Sequence, residues 1–405
     1  MKGKGFGRMD LPAMIGGNPV RSRYLVFGSP LIGEEEILEV SQSLRSGWVG
    51  TGPKVKRFEE MFKTFKNCRH AMAVSSCTAA LHLSLLVSGI EPGHEVITTP
   101  LTFAATANCI VHAGAKPVFA DVELKTMNID PMEVEKKING KTKAVLPVHF
   151  AGRPCEMDGL MELAHRFHLR VIEDAAHAIE SLYKGKPVGT FGDLGCFSFY
   201  VTKNITTVEG GMVVTDQEEL ASQVKSLALH GLTQNAWQRF SDEGFKHYQV
   251  VCAGFKYNMT DIQASIGIHQ LKKMEAQAQR RKEIWEVYQQ SFRDLPLILP
   301  FPTPPDQRHA YHLYTPLLEL ERVRCSRDEF LQALHKENIG AGIHYVALHL
   351  HPFYQKTFGT REGEFPNAEF ISHRTFSLPF SAKLTDEDVE DVVQAVKKIL
   401  AYYRK

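Results

Sequence analysis

The sequence predicts an α/β fold with a mostly parallel central sheet that is covered by helices. Between about Ser75 and Asp216, short apolar runs alternate with segments of helical pattern. Strands of a parallel sheet are buried on both faces and read as continuous apolar runs, and the helices that join them cover those faces. The chain has 405 residues, which is enough for one large domain and a smaller one.

The strands and helices of this region are assigned from the position and length of the apolar runs. The predicted strands are HEVITTP, KPVFADV, KAVLPVHF, LRVIEDAA, GCFSFYV and GGMVVTD. The predicted helices between them are AALHLSLLVSG, TFAATANCIVHAG, PMEVEKKI and GLMELAHRF.

An amphipathic helix precedes this region and a long helix follows it. The first is SPLIGEEEILEVSQSLRSG, with Pro30 near its start and Gly47 past its end. The long helix begins at about Thr260, and the second α/β section after it ends in the helix TDEDVEDVVQAVKKILAYYRK.

Domain boundaries are placed from these elements and from the Pro-rich segment LPLILPFPTPPDQRHA. We expect an irregular N-terminal arm at residues 1–29 and a large domain at 30–265. A smaller C-terminal α/β domain is expected at 266–405.

The composition argues against several classes of protein. The chain is 43% hydrophobic and 23% charged, which is ordinary for a soluble globular protein. Its net charge of +1 gives no electrostatic basis for binding nucleic acid or a membrane surface. Neither a secretory signal nor a transmembrane helix is predicted. Seven cysteines without a CxxC pair indicate reduced thiols, and we expect a cytoplasmic protein.

One candidate site begins at a strand end. The apolar strand in RVIEDAAH ends in Asp174, and His177 follows three residues later. In open α/β sheets, ligands bind at the carboxyl ends of strands. Asp174 could therefore hold a cationic ring nitrogen with an imidazole beside the ring. The alternative is an ordinary helix-capping aspartate with a solvated histidine.

A second candidate is the strand-to-helix junction in AMAVSSCTAALHLSLL. Ser75, Ser76 and Thr78 lie where the helix begins. The free N–H groups and the dipole at a helix start favour a phosphate group. A simple Ser/Thr cap is the alternative, and the sequence has no GxxxxGK[ST] loop.

The third candidate is Lys203, which lies between the strand CFSFYVT and the segment NITTVEGG. A lysine at a strand end among apolar residues is partly desolvated, which lowers its pKa and frees the amine for Schiff-base chemistry. A snorkelling surface lysine is the alternative. Together, the helix start, Asp174 and Lys203 supply the parts of a pyridoxal phosphate site.

These segments resemble the DegT/DnrJ/EryC1/StrS family of sugar aminotransferases, over nearly the whole chain. The resemblance is carried by the order of GHEVITTPLTFAAT, PVHFAGRPCEMD, VIEDAAHAIES, FSFYVTKNITTVEGG and GFKYNMTDIQASIG. It implies the aspartate aminotransferase fold (fold type I) of pyridoxal-phosphate-dependent transferases.

The resemblance also implies roles for individual residues. Lys203 matches the Schiff-base lysine, Asp174 the partner of the pyridinium nitrogen, and His177 a neighbour of the ring hydroxyl. Phe103 matches the aromatic residue that stacks on the ring. Contacts to the phosphate are implied for Cys77, Thr78, Ser198 and, from the neighbouring subunit of a homodimer, Asn258. Family members often have glycine where Cys77 stands.

The implied activity is transfer of an amino group from glutamate, with glutamine as the alternative donor, to a nucleotide-linked keto sugar. YNMTDIQASIG is similar to enzymes that aminate C4 of a 4-keto-6-deoxy hexose or a 4-keto pentose. MIGGNPVR is common among cyclitol aminotransferases, so a cyclitol or C3 keto-sugar aminotransferase stays an alternative. A sugar dehydratase and a non-catalytic regulator on the same fold are further alternatives.

Substrate contacts are expected from Trp48 and Thr51 in SGWVGTGP and from His344 in GIHY. The segment RHAYHLY, from Arg308 to Tyr314, is a further candidate for contact with the donor or the acceptor. His344 is close in sequence to His349 and His351. Their spacing fits no usual zinc pattern, so no metal site is expected.

Overall fold

The computed structural model describes residues 11–233 and 248–405. Residues 1–10 of the predicted N-terminal arm lie outside the described residues, as do residues 234–247. Residues 11–29 are largely irregular and contain a short 3₁₀ turn at Ala13–Ile15. No helix of the described ranges is long and apolar enough to cross a membrane.

The elements are numbered in chain order. The strands are β1 (His70–Val74), β2 (Glu95–Thr98), β3 (Lys116–Phe119), β4 (Thr142–Leu146), β5 (Arg170–Asp174), β6 (Leu182–Tyr183), β7 (Lys186–Pro187), β8 (Leu194–Ser198), β9 (Gly211–Thr215), β10 (Leu297–Ile298), β11 (Gln307–Arg308) and β12 (Leu317–Leu318). The α-helices are α1 (Glu34–Ser46), α2 (Pro53–Lys66), α3 (Cys77–Val87), α4 (Ala104–His112), α5 (Pro131–Lys137), α6 (Met157–Phe167), α7 (Glu218–Ala228), α8 (Asp261–Phe292), α9 (Arg327–Lys336), α10 (Pro352–Phe358), α11 (Pro366–Arg374) and α12 (Asp386–Tyr403).

The central sheet has seven strands in the order β1-β9-β8-β5-β4-β2-β3. All neighbouring pairs from β3 to β8 are parallel, and β9 is antiparallel to both β8 and β1. The predicted α/β fold with a mostly parallel sheet is therefore confirmed. The carboxyl ends of β1, β2, β5 and β8 meet at one edge of the sheet.

The two faces of the sheet bury alternate side chains, as the two-residue period of a strand requires. On β5, Val171 packs into one apolar core and Ile172 into the other. The first core includes Phe58 and Phe62 of α2, and the second includes Leu81 of α3. Helices thus cover both faces and leave the strand ends for the site.

Helix α8 joins the two parts of the chain. Thr260 caps the helix by a reciprocal hydrogen-bond pair with Gln263, so the helix begins where the sequence predicted it. Ile268 in its first half packs in the core of the central sheet, whereas Tyr288 in its second half packs in the C-terminal core. The proposed boundary at residue 265 falls inside this helix, so the division at that residue stays a proposal.

Five helices in the described ranges are not individually predicted by the patterns above. They are α2, α7, α9, α10 and α11. α2 begins with Pro53 at its first position, a signal typical of helix starts. α1 ends as predicted, with Gly47 in the left-handed conformation at a φ of 76°.

Candidate active site

Asp174 is the last residue of β5 and is buried, with 5% of its surface exposed. Its Oδ2 accepts a hydrogen bond from the Thr106 hydroxyl at 2.8 Å, and its Oδ1 accepts one from the Ala176 N–H at 3.1 Å. Burial raises the pKa of the carboxyl, and these two donors and Lys203 act in the opposite direction. Both donors are uncharged, so they leave the charge of the carboxylate available to a cationic ligand atom.

Thr106 lies in the first turn of α4 and belongs to a short chain of hydroxyls. Its Oγ1 lies 2.8 Å from the Oγ1 of Thr102. Because Thr106 donates its proton to Asp174, Thr102 is the donor to Thr106. Asp174 is therefore fixed in orientation by groups that the sequence patterns did not single out.

Lys203 lies in the turn between β8 and β9, where its N–H donates to the Tyr200 carbonyl at 2.9 Å. Burial lowers the pKa of the Lys203 amine to about 8, and Cys77 and Asp174 oppose this shift. The amine is therefore within electrostatic range of Asp174 and of Cys77, the first residue of α3. A lysine with this pKa is a substantially better nucleophile at neutral pH than an exposed one.

His177 is buried next to these groups and is held as a neutral ring. Its Nδ1 accepts a hydrogen bond from the Ala151 N–H at 3.3 Å, so the proton of the neutral ring is on Nε2. Nε2 lies 3.2 Å from the Tyr345 hydroxyl and donates to it. Burial holds the pKa of His177 well below its ordinary value, and the positive charge of Lys203 adds to the effect.

Phe103 is an exposed aromatic side chain beside this buried polar cluster. It caps the start of α4, and 62% of its surface is exposed. Its ring centroid lies 6.3 Å from that of Tyr345. An exposed ring at a strand end offers a flat apolar surface to a ligand ring.

The start of α3 forms the candidate phosphate site. Ser76 caps the helix and accepts from the Ala79 N–H, which leaves the N–H groups of Cys77 and Thr78 at the helix start. Gly211 packs against this turn, and a Cβ on it would lie 2.5 Å from the Ser76 carbonyl carbon. Because Gly211 also pairs with Ser198, Ser198 is brought to the same place.

Asn258 and Thr51 lie together beside the end of β1. The backbone of Asn258 pairs with Val74, and its amide nitrogen donates to the Thr51 hydroxyl at 2.6 Å. Thr51 in turn donates to the Met259 carbonyl at 2.6 Å. Trp48, in the same segment as Thr51, is 37% exposed.

His344 also belongs to the cluster around Lys203. Its Nδ1 lies 2.8 Å from the Ser377 hydroxyl, and its ring stacks on Phe27 with centroids 5.4 Å apart. Burial, with a smaller contribution from Lys203, lowers the pKa of His344 to about 4. His344 is therefore neutral at physiological pH and can donate or accept a hydrogen bond.

The two neighbouring histidines have partners of their own. His349 is bonded to Glu369 at 2.9 Å, and His351 to the Val346 carbonyl at 3.3 Å. Within residues 11–233 and 248–405, no group of three or more metal-ligating side chains is found.

Pyridoxal phosphate has a ring nitrogen that becomes cationic, a flat ring and a phosphate, and the described residues provide a complement to each. Asp174 supplies a buried carboxylate whose contacts are neutral, and Phe103 supplies an exposed ring face. The start of α3 supplies free N–H groups next to Gly211. The fold and this complementarity define the class of protein as a pyridoxal-phosphate-dependent transferase.

The comparison with known families is more specific. Residues 30–397 match the DegT/DnrJ/EryC1/StrS aminotransferase family, and the chain belongs to it. It is 49% identical to the spore coat polysaccharide biosynthesis protein SpsC of Bacillus subtilis over 382 residues, which cover 94% of this chain and 98% of SpsC.

Solved structures agree with this assignment. PseC of Helicobacter pylori, an aminotransferase of pseudoaminic acid biosynthesis, has a TM-score of 0.87 at 32% identity, covering 94% of this chain and 100% of PseC. The PMP form of Spr1654 from Streptococcus pneumoniae has a TM-score of 0.86 at 33% identity, covering 93% and 99% of the two chains. The predicted family, fold, enzyme class and cofactor are confirmed.

Proposed function

We propose that this protein transfers an amino group from glutamate to C4 of a nucleotide-linked 4-keto-6-deoxy hexose, or of a 4-keto pentose. The observation that carries the proposal is the presence of Lys203, with its lowered pKa, and of the buried Asp174 at the same edge of the sheet. Amination at C4 rests on the similarity of YNMTDIQASIG to C4-aminating enzymes. The likeness to SpsC favours a role in polysaccharide biosynthesis.

Lys203 has two roles in this proposal. It anchors the cofactor covalently, and its amine, once free, moves the proton at the α-carbon of the amino donor as general base and then general acid. When bound, pyridoxal phosphate supplies the electron sink that stabilises negative charge at that carbon. The lowered pKa of Lys203 favours both roles, because a neutral amine is needed for attack and for taking up a proton.

The remaining site residues bind and orient the cofactor. Asp174 pairs with the pyridinium nitrogen, and His177 lies near the ring hydroxyl. Phe103 stacks on the ring face. The proposed phosphate contacts are Cys77, Thr78, Ser198 and the Asn258 of a neighbouring subunit.

The keto sugar and the donor are proposed to bind near His344, Trp48 and Thr51. His344 supports this role because it is neutral and its ring lies 4.9 Å from that of Tyr345, the partner of His177. Neither a metal ion, nucleic acid nor a membrane takes part in this proposal, and the reaction is placed in the cytoplasm.

A homodimer is proposed because α1 exposes its apolar side. Ile37, Leu38 and Leu44 are 50%, 56% and 59% exposed, whereas the buried residues of α1 are Glu36 and Ser43. Glu36 and Ser43 bond to Gln270 and Ser265 of α8, so the apolar face of α1 is left for another surface. The segment with Trp48 and Thr51 continues from this helix, which favours a site close to the dimer interface.

The proposal is tested by identifying the product. The purified enzyme is incubated with pyridoxal phosphate, glutamate and UDP-, dTDP- or GDP-linked keto sugars, and products are identified by mass spectrometry and NMR. A 4-amino sugar with matching formation of 2-oxoglutarate is the expected result. A 3-amino sugar or amino cyclitol would support the alternative acceptors, and ammonia with a deoxy sugar would identify a dehydratase. No covalently bound cofactor at all would favour a non-catalytic regulator.

A further inference from the structure

Asn204, the residue that follows Lys203, is the centre of a buried hydrogen-bond network. Its amide nitrogen donates to Glu180 at 2.8 Å and to the Ala310 carbonyl at 2.8 Å. Its Oδ1 lies 2.9 Å from Nδ1 of His312. Because the amide nitrogen faces two acceptors, the atom that faces His312 is the amide oxygen. An amide oxygen only accepts, so His312 carries its proton on Nδ1.

The far end of the network is a buried ion pair. Glu180 is bonded to Arg281 of α8, and Arg281 also donates to the Ala310 carbonyl at 3.4 Å. Glu180 and Arg281 are each 2% exposed. Their opposite charges balance, so the network fixes Asn204 without adding net charge next to Lys203.

His312 connects this network to the second side of the active site. Its backbone N–H donates to the Ala151 carbonyl at 3.0 Å, and the N–H of Ala151 donates to Nδ1 of His177. The rings of His312 and His177 have centroids 4.3 Å apart. One buried histidine thus contacts both the residue after Lys203 and the residue predicted to lie near the cofactor hydroxyl.

We propose that His312 is a positioning residue for the reaction of Lys203. Through Asn204 it holds the main chain that carries Lys203, and through Ala151 and ring packing it holds His177. It fixes the amine relative to Asp174 without itself touching substrate. This inference rests on the proposed role of Lys203 as cofactor anchor.

The chain offers a matched control in His309. This residue is also buried, at 4% exposure compared with 5% for His312, and lies in the same segment. Its Nδ1 accepts from the Tyr311 N–H at 2.7 Å, and its ring packs against Tyr311 and against Trp285 of α8, so none of these contacts involves Asn204. His309→Phe and His312→Phe therefore make the same chemical change with and without contact to Asn204.

The test measures how fast pyridoxal phosphate combines with the apoenzyme, by absorbance, with borohydride trapping and peptide mass mapping to identify Lys203. We expect His312→Phe to slow this step about tenfold to a hundredfold, the cost of a small misplacement of a reacting group. His309→Phe should leave it near the wild-type rate at similar melting temperature. His312→Gln, which keeps a donor for Asn204, should restore most of the rate. Equal rates for His312→Phe and His309→Phe would overturn the proposal.

A second variant covers the case in which His312→Phe does not fold. Asn204→Ala removes the oxygen that accepts from His312, so it should also slow the combination of pyridoxal phosphate with the apoenzyme. Because the two residues act as one unit, the double variant Asn204→Ala/His312→Gln should lose the rate that His312→Gln alone restores. A wild-type rate in Asn204→Ala would contradict the inference. The Lys203→Ala variant distinguishes a wrong positioning role for His312 from a wrong anchoring role for Lys203. Cofactor trapped elsewhere in Lys203→Ala would refute the anchor, whereas trapping at Lys203 with a normal rate in His312→Phe would refute only the positioning role.

Discussion

The reactivity of Lys203 is set by a balance between burial and charge. Burial disfavours the ammonium form, whereas Cys77 and Asp174 favour it, and burial dominates. The resulting pKa of about 8 lies below the ordinary lysine value of 10.5. Because the pKa of Lys203 is lowered in the folded protein, its free amine is the main form above about pH 8.

This balance predicts the pH dependence of cofactor capture. The rate at which pyridoxal phosphate combines with the apoenzyme should rise with pH through a midpoint near 8 and then level off. Stopped-flow absorbance over pH 6 to 11 measures it, and Lys203→Ala is the control, with no covalent capture and no turnover expected. A midpoint near 10.5, or turnover in a clean Lys203→Ala preparation, would contradict the assignment.

The charge of Asp174 should matter more than its hydrogen bonds. Asp174→Asn removes the charge that holds the pyridinium nitrogen, and we expect it to weaken binding of pyridoxal phosphate by about 3 kcal/mol, the cost of leaving one charge of a buried pair unpaired. Thr106→Val removes only one donor to Asp174 and should cost about 1 kcal/mol. Fluorescence titration measures both affinities. Unchanged affinity and rate in Asp174→Asn would refute the pyridinium role.

At the residue scale, the sequence identified candidates that stand directly after strands, such as Asp174 and Lys203. It did not identify Thr106 or Tyr345, and it placed His312 only within the candidate segment RHAYHLY, because each of the three acts through a partner far away in the chain. Thr106 bonds to Asp174, 68 residues away, and Tyr345 bonds to His177, 168 residues away. His312 bonds to Asn204, 108 residues away. For Tyr345, the local signal in the sequence was its position directly after the candidate residue His344 in GIHY.

At the element scale, the packing of β9 against the start of α3 shapes the candidate phosphate site. Gly211→Ala would put a Cβ 2.5 Å from the Ser76 carbonyl and 2.7 Å from the Cys77 nitrogen. We expect a loss of about 1 to 3 kcal/mol in stability from overpacking, together with weaker binding of pyridoxal phosphate.

Denaturant unfolding and cofactor titration check this expectation. Gly140→Ala is the matched control, because a Cβ at Gly140 meets nothing within 4 Å. If Gly211→Ala binds the cofactor as tightly as Gly140→Ala, the close approach of β9 has no role in the phosphate site.

The central elements could be predicted because buried strands leave continuous apolar runs. The patterns did not separate α8 into the parts that serve two cores, because its buried residues recur at three- and four-residue spacing along the whole helix and no break marks the change of core. The amphipathic pattern of α1 was predicted, but the pattern did not show which face of the helix is buried against the rest of the chain. The side of α1 that is buried against α8 carries Glu36, which is bonded to Gln270 and Lys273.

At the scale of the whole molecule, the outward apolar face of α1 predicts how two chains associate. Leu38→Glu places a charge on a residue that is 56% exposed in the single chain. We expect this change to shift the protein toward monomer and to lower turnover, because burying an unpaired carboxylate in an interface is costly.

Sedimentation velocity checks the mass of the variant. The control is Met132→Glu, which changes an apolar residue of α5 that is 71% exposed. A Leu38→Glu protein of unchanged mass and turnover would show that this face is not the subunit contact.

The most direct test of the central claim is a titration of the whole catalytic cycle. The enzyme is loaded with pyridoxal phosphate, treated with glutamate and freed of donor, and nucleotide-linked keto sugars are then added one at a time while absorbance is followed. The account predicts that glutamate removes the band of the bound pyridoxal form and that a 4-keto sugar restores it. A band that never responds to glutamate, or that no 4-keto sugar restores, would contradict the proposed amino transfer.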